Sequence, residues 1–188
     1  MDNNKFLTSY LDDFSDLVKP DKEIIDQLLE FAALLNEVRT QKKKVLVFGN
    51  GGSAAISSHF SVDLTKNAGL RCINCNEADL ITCFANDYGF ERWVEKAVDF
   101  YGDEGDLLIV ISSSGSSKNM LNGVKAARKG KFKAVVTLSG FSKDNPLSKL
   151  GDINLWVNSK AYNFVENIHQ IWLLAIVDLI IGSREYSA

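Results

Sequence analysis

Short runs that are apolar at every position alternate with helical patterns through most of this chain, and no other feature constrains its fold more. Val45-Leu46-Val47-Phe48 is such a run, ending on Gly49. A strand with one wet face alternates apolar and polar residues, so an uninterrupted apolar strand must be covered on both faces. Residues 71–75, 107–111, 134–138 and 153–157 are further strand candidates. Helical periodicity over 54–67, 91–101, 119–129 and from about Asn163 separates most of them. This pattern predicts an α/β fold, a single doubly wound parallel-sheet sandwich of flavodoxin-like type with helices on both faces.

The first 43 residues read differently. Phe6, Tyr10, Phe14 and Leu17 recur at helical steps, and Ile24, Ile25, Leu28, Leu29, Ala32, Leu35 and Val38 do so again after a break at Pro20-Asp21. Residues 1–43 are therefore expected to be an N-terminal helical extension serving oligomerisation, with 44–188 as the ligand-binding domain. The last helix is apolar almost all round over 171–181 and needs burial, in its own core or against another subunit. A homo-oligomer is expected.

Composition removes several classes. With 21 Lys plus Arg against 24 Asp plus Glu, the net charge of −3 supplies no cationic field for nucleic acid. Three cysteines, Cys72, Cys75 and Cys83, are too few and too clustered for a disulfide framework, which suits a reducing cytoplasm. Cys72 and Cys75 form C-x-x-C but read as two buried small apolar residues. The opening residues carry no signal-peptide pattern. The apolar run 171–181 is short for a bilayer and holds Asp178, so no membrane partner is expected.

Ligands of such folds sit beyond the carboxyl ends of the strands. The first candidate loop is Gly49-Asn50-Gly51-Gly52-Ser53-Ala54, whose glycines let backbone approach a ligand at a helix N-terminus. It half-matches the dinucleotide pattern G-x-G-x-x-A, so a nicotinamide reading needs a discriminator. The second loop provides it: Ser112-Ser113-Ser114-Gly115-Ser116-Ser117 is a neutral cradle of hydroxyls for a phosphate monoester. A sugar phosphate explains both loops, and no nucleotide cofactor is expected.

These two loops, with His59-Phe60, Asn86-Asp87-Tyr88-Gly89-Phe90, Gly105-Asp106 and Thr137-Leu138-Ser139-Gly140, resemble the SIS (sugar isomerase) domain family over nearly the whole chain, and within it the sedoheptulose-7-phosphate (phosphoheptose) isomerases. The resemblance implies phosphate binding at Ser112, Ser113, Ser114 and Ser117. It implies sugar contacts at Asn50, Gly51, Gly52 and Ser53, at Asp87 in a loop, and at Asn163. It further implies aldose–ketose isomerisation through an enediol, a zinc site and a homotetramer.

The family's catalytic set is altered here. Its helix glutamate falls on Asp63, its glutamine on Glu166, its last-helix histidine on Leu174 and an arginine on Asn67. His169 matches a different family histidine. Asp63 and Glu166 are therefore the expected catalytic carboxylates. His59, Asp63 and Glu166 are the expected metal ligands, holding zinc weakly with water completing the shell. His59 and Asp63 do share one helix face at i, i+4, and a plain hydrogen-bonded pair is the competing reading. The rival function is a non-catalytic phosphosugar-binding or partner-binding scaffold, like the replication-initiator-associating protein of the same family; the isomerase-like stretch 86–90 argues for an enzyme pocket.

Overall fold

The structure, a computed structural model, describes residues 2–185. Five parallel strands, β1 (Val45–Gly49), β2 (Cys72–Ile73), β3 (Leu107–Ser112), β4 (Ala134–Ser139) and β5 (Ile153–Trp156), form one sheet in the order β2-β1-β3-β4-β5. The central strands are buried along their whole length, as their unbroken apolar runs require.

Side chains alternate across the sheet and divide the core in two. Val45, Val47, Leu107, Ile109, Val136 and Leu138 face α2 (Lys22–Thr40), α3 (Gly52–Lys66) and α7 (Tyr162–Ile181). Leu46, Phe48, Leu108, Val110 and Val135 face α5 (Trp93–Tyr101) and α6 (Lys118–Lys129). Below the sheet, buried Asp106 accepts from the backbone N–H of Lys44 at 3.0 Å and of Asp103 at 2.8 Å, and its carboxylate pairs with the Lys44 ammonium at 2.6 Å. This ties the start of β1 to the start of β3.

Two expectations are corrected here. Residue 43 is not a break in packing: Phe31, Ala32, Leu35 and Val38 put α2 inside the sandwich. Only α1 (Asn3–Val18) stands outside, touching α7 where Tyr10 and Phe14 meet Phe164 edge-to-face at 4.5 and 5.6 Å. Residues 86–88 are not loop but the last turn of α4 (Ala78–Tyr88), which ends on Gly89 at φ +85. A short 3₁₀ turn, Phe90–Arg92, then leads into α5. The pattern 80, 81, 84 that would have revealed α4 is only half-buried, against the second cluster.

At 20 residues α7 is, among the described residues, the one helix long and apolar enough to cross a bilayer. Its length alone therefore does not carry the no-membrane expectation. What it does instead is bury Val165, Ile168, Trp172, Leu173, Ile176 and Val177 in the first cluster.

His169, on the same helix, is fully buried, and its Nε2 donates to the Ser139 carbonyl at 3.1 Å while Nδ1 has no partner. Burial holds its pKa at about 4, against an ordinary 6.5. Between those values the unfolded chain takes up a proton that the folded chain refuses, so this contribution is intact above pH 6.5 and is lost as pH falls toward 4. Urea melts across that window should show His169→Gln losing up to about 1.4 kcal/mol per pH unit of wild type's pH dependence. Parallel slopes for the two proteins would show that His169 does not carry it.

Candidate functional site

In the order 2-1-3-4-5 the chain leaves β1 toward one edge of the sheet and leaves β3 toward the other, so the loops after these two strands part and a crevice opens between them. The pairing Gly49↔Ile111 sets the loops side by side. A cleft of about 210 Å³ lies there. Asn50 and Ser53 line it from the first loop, Ser112, Ser113, Ser114 and Ser117 from the second, and Tyr162 and Glu166 from α7.

Glycine geometry makes the cleft possible. Gly51 caps α3 at φ +56, ψ −122, backbone that other residues rarely adopt. At Gly52 a Cβ would lie 2.2 Å from Glu166 Oε2, so the missing side chain is where the Glu166 carboxylate rests. Gly115 sits at φ +64 with Asn145 directly behind it, and a Cβ there would lie 2.0 Å from Asn145 Oδ1.

Among the described residues no lysine or arginine lines the cleft. Its attraction for an anion comes from helix ends instead. The caps of α3, α6 and α7, namely Gly51, Ser117 and Ala161, make no side-chain capping hydrogen bond, so the first N–H groups of α6 and α7 stay available, whereas in α3 the Ser53 and Ala54 N–H groups donate to the Asn50 and Gly51 carbonyls. Hydroxyls complete the cradle: Ser112 and Ser117 lie 3.2 Å apart, Ser116 donates to Ser114 at 3.0 Å, and the buried Ser113 hydroxyl has no partner. Orphaned donors of this kind are what a phosphate's oxygens satisfy.

Several supporting residues carry no motif in the sequence. Asn119 of α6 and Asn50 exchange amide hydrogen bonds, 3.1 Å one way and 2.9 Å the other, locking the two loops together. Asn50 therefore acts first as a brace between loops. Buried Asn145 donates to the Ser139 hydroxyl and the Ser142 carbonyl and accepts from the Ser148 N–H, while Leu147 N–H donates to the Gly115 carbonyl. The serine loop is thus held from behind by the segment after β4. Only the tertiary structure reveals either role, because a buried asparagine reads in sequence like any exposed one.

Other expected residues lie elsewhere. Asp87 is exposed on α4, accepting from Asn86 at 2.8 Å, and does not line the cleft. Asn163 points out of α7, exposed, with Tyr162 lining the cleft in its place. Asp63 is eleven residues beyond Gly52, roughly 16 Å along α3. It accepts from His59 Nε2 at 3.3 Å and from Asn67 at 3.3 Å. Gln170 of α7 donates to His59 Nδ1 at 2.9 Å. Of the two expected carboxylates, only Glu166 is in the cleft, and desolvation raises its pKa above the ordinary glutamate value.

The zinc expectation fails the geometric test. Both ring nitrogens of His59 are engaged, and Glu166 rests on Gly52 two turns away along α3. Among the described residues no three His, Cys, Asp or Glu side chains are grouped to hold a metal ion. No step below uses one.

A wider hollow of about 810 Å³ lies beside edge strand β2, lined by Cys72, Cys75, Cys83, Glu77 and Asp79. Burial raises the Cys72 thiol, and burial with Glu77 pushes Cys75 up to about 11, so these are inert thiols, as the sequence reading of C-x-x-C expects. The smaller cleft is the one that gathers the serine loop, the glycine loop and Glu166.

Comparison with known proteins agrees with this geometry. A family profile described as the SIS domain matches residues 9–140. A phosphoheptose isomerase of Fusobacterium nucleatum is 34% identical over 180 residues, covering 92% of this chain and 91% of the relative. The solved structure of a phosphoheptose isomerase from Francisella tularensis superposes with a TM-score of 0.86 at 27% identity, covering 97% of this chain and all of the other. That of the Neisseria gonorrhoeae phosphoheptose isomerase gives 0.87 at 26%, covering 94% and 98%.

If the serine loop holds phosphate, Ser117→Ala should weaken inorganic phosphate binding by about 1–3 kcal/mol. Gly115→Ala should lose it almost entirely, because its Cβ displaces Asn145. Calorimetry decides the matter, with circular dichroism confirming the fold. Unchanged affinity in both variants would take the loop out of the site.

Proposed function

The chain belongs to the SIS domain family, and from that premise we propose that it isomerises a phosphorylated seven-carbon sugar, sedoheptulose 7-phosphate, between ketose and aldose. The observation that carries the reading is a carboxylate, Glu166, in the same cleft as a neutral phosphate cradle. The family resemblance, at 34% identity to an isomerase over nearly the full length of both chains, supports the same substrate class and a place in heptose supply for surface polysaccharide. It does not favour the scaffold reading.

Aldose–ketose exchange needs one group to take a proton from carbon and return it to the adjacent carbon. With phosphate held by residues 112–117, Glu166 takes the proton from C1, and the C–H electron pair becomes the enediol double bond. The carboxylic acid then returns the proton to C2, while the oxygen-bound proton passes between the two enediol oxygens. The raised pKa of Glu166 makes it a stronger base than a solvated glutamate. Leu174 takes no part, since no proton passes through that position.

Assembly is the second part of the proposal. Leu7 and Leu11 of α1, Ile25 and Leu29 of α2, and Ile171 and Leu179 of α7 are exposed apolar side chains. Their exposure is what burial between copies would relieve, and with the family resemblance it supports a homotetramer built through the N-terminal helices and α7. Three free cysteines fit a cytoplasmic home.

Glu166→Gln should lower kcat by about 10²- to 10⁴-fold, whereas Asp63→Asn should cost far less. The acid limb of the kcat/KM profile should lie above the ordinary glutamate range, since activity is lost as pH falls through the raised pKa and the base becomes protonated. A larger loss in Asp63→Asn than in Glu166→Gln would reverse the assignment, and purified wild type without turnover of sedoheptulose 7-phosphate would reject the activity. Light scattering should report four times the 20.8 kDa chain mass, and a single-chain mass would reject the tetramer.

A further inference from the structure

The cleft holds one side chain that neither the phosphate cradle nor the base explains. Tyr162 is the first residue of α7 and 59% exposed, and its ring rests against one aromatic neighbour. Phe141 braces it, edge to face, with centroids 4.9 Å apart at 70°. Phe141 itself follows β4 with φ +57, a left-handed backbone that is unfavourable for a bulky aromatic residue. Its N–H is tied to the Ser159 carbonyl at 2.8 Å, across the segment that leads into α7. Backbone held in a costly region against a neighbour marks a place where the surroundings dictate geometry.

The remaining lining is polar except for Ile111, which is fully buried and offers no side-chain surface. Among the described residues Tyr162 is therefore the cleft's one accessible apolar wall. It precedes Glu166 by one helical turn on the same face of α7. A sugar phosphate has an anionic end, a reacting end, and a carbon chain between them with C–H surface to cover. We propose that Tyr162, braced by Phe141, is the residue that packs on this carbon chain and sets the preference for long-chain sugar phosphates. The inference rests on the isomerase reading for its choice of ligand, and on the cleft alone for its geometry. The ring supplies apolar area and the phenol hydroxyl is not required.

Calorimetry and kinetics on the full-length protein test it with three probes: inorganic phosphate, a five-carbon ketose phosphate and sedoheptulose 7-phosphate. Tyr162→Ala should weaken the seven-carbon ligand about tenfold and the five-carbon ligand less, with phosphate affinity retained. In turnover, KM should rise more than kcat falls. Tyr162→Phe should recover most of the affinity, and Phe141→Ala should fall between the two. Equal losses for phosphate and both sugars would show that the substitution only disturbs the cleft and would overturn the proposal, as would no loss at all. The binding comparison still decides the question if wild type binds these sugars without turning them over, so failure of the isomerase reading and failure of this one are told apart.

Discussion

Everything at the site depends on the ladder between β1 and β3. Five residue pairs, from Val45↔Leu107 to Gly49↔Ile111, hold two fully buried strands in parallel register. The lower end is secured by Asp106 bridging Lys44 and Asp103. A parallel pair cannot close with a hairpin, so each strand must hand its chain to a crossover helix. Because these helices depart in opposite directions, the upper end of the ladder is left as an open crevice flanked by two helix N-termini. A slip of one residue would turn the strands' side chains to the wrong faces of the sheet and would move the serine loop away from the glycine loop.

What this crevice offers an anion is dipoles, N–H groups and hydroxyls in place of cations. Such a cradle is only as good as its rigidity, since weak donors have to be aimed in advance. The rigidity comes from residues outside any motif. The reciprocal Asn50–Asn119 pair joins the two loops, and Asn145 with Leu147 pins the serine loop to the segment after β4. Leaving lysine and arginine out of the cleft also leaves the Glu166 carboxylate without a cation to lower its pKa, so desolvation prevails and the pKa is raised.

Helix α7 links core, site and surface. One side fills the core under the sheet, its first turns bring Tyr162 and Glu166 to the cleft, and Ile171 and Leu179 remain outside. Its packing against α3 also determines which carboxylate reaches the cleft. The carboxylate of Glu166 occupies the space above Gly52, whereas Gln170, one turn later, meets His59 and completes the His59–Asp63 pair far from the serines.

The sequence by itself determined the strands, most helices, the parallel sandwich and the two loops at its mouth. Burial on both faces demands unbroken apolar runs, and tight strand-to-helix turns demand glycine, so both constraints are written locally. The structure alone decided that α2 belongs to the core, that residues 86–88 are helical, and that Asp87, Asn163 and Asp63 stand away from the cleft while Tyr162 enters it. Those outcomes depend on which turn of α7 faces which turn of α3, and on contacts between residues as distant as Asn50 and Asn119. Periodicity shows that a helix has a buried face. It does not show where along a neighbouring helix that face comes to rest, because packing between helices is decided by side-chain shapes that no local pattern encodes.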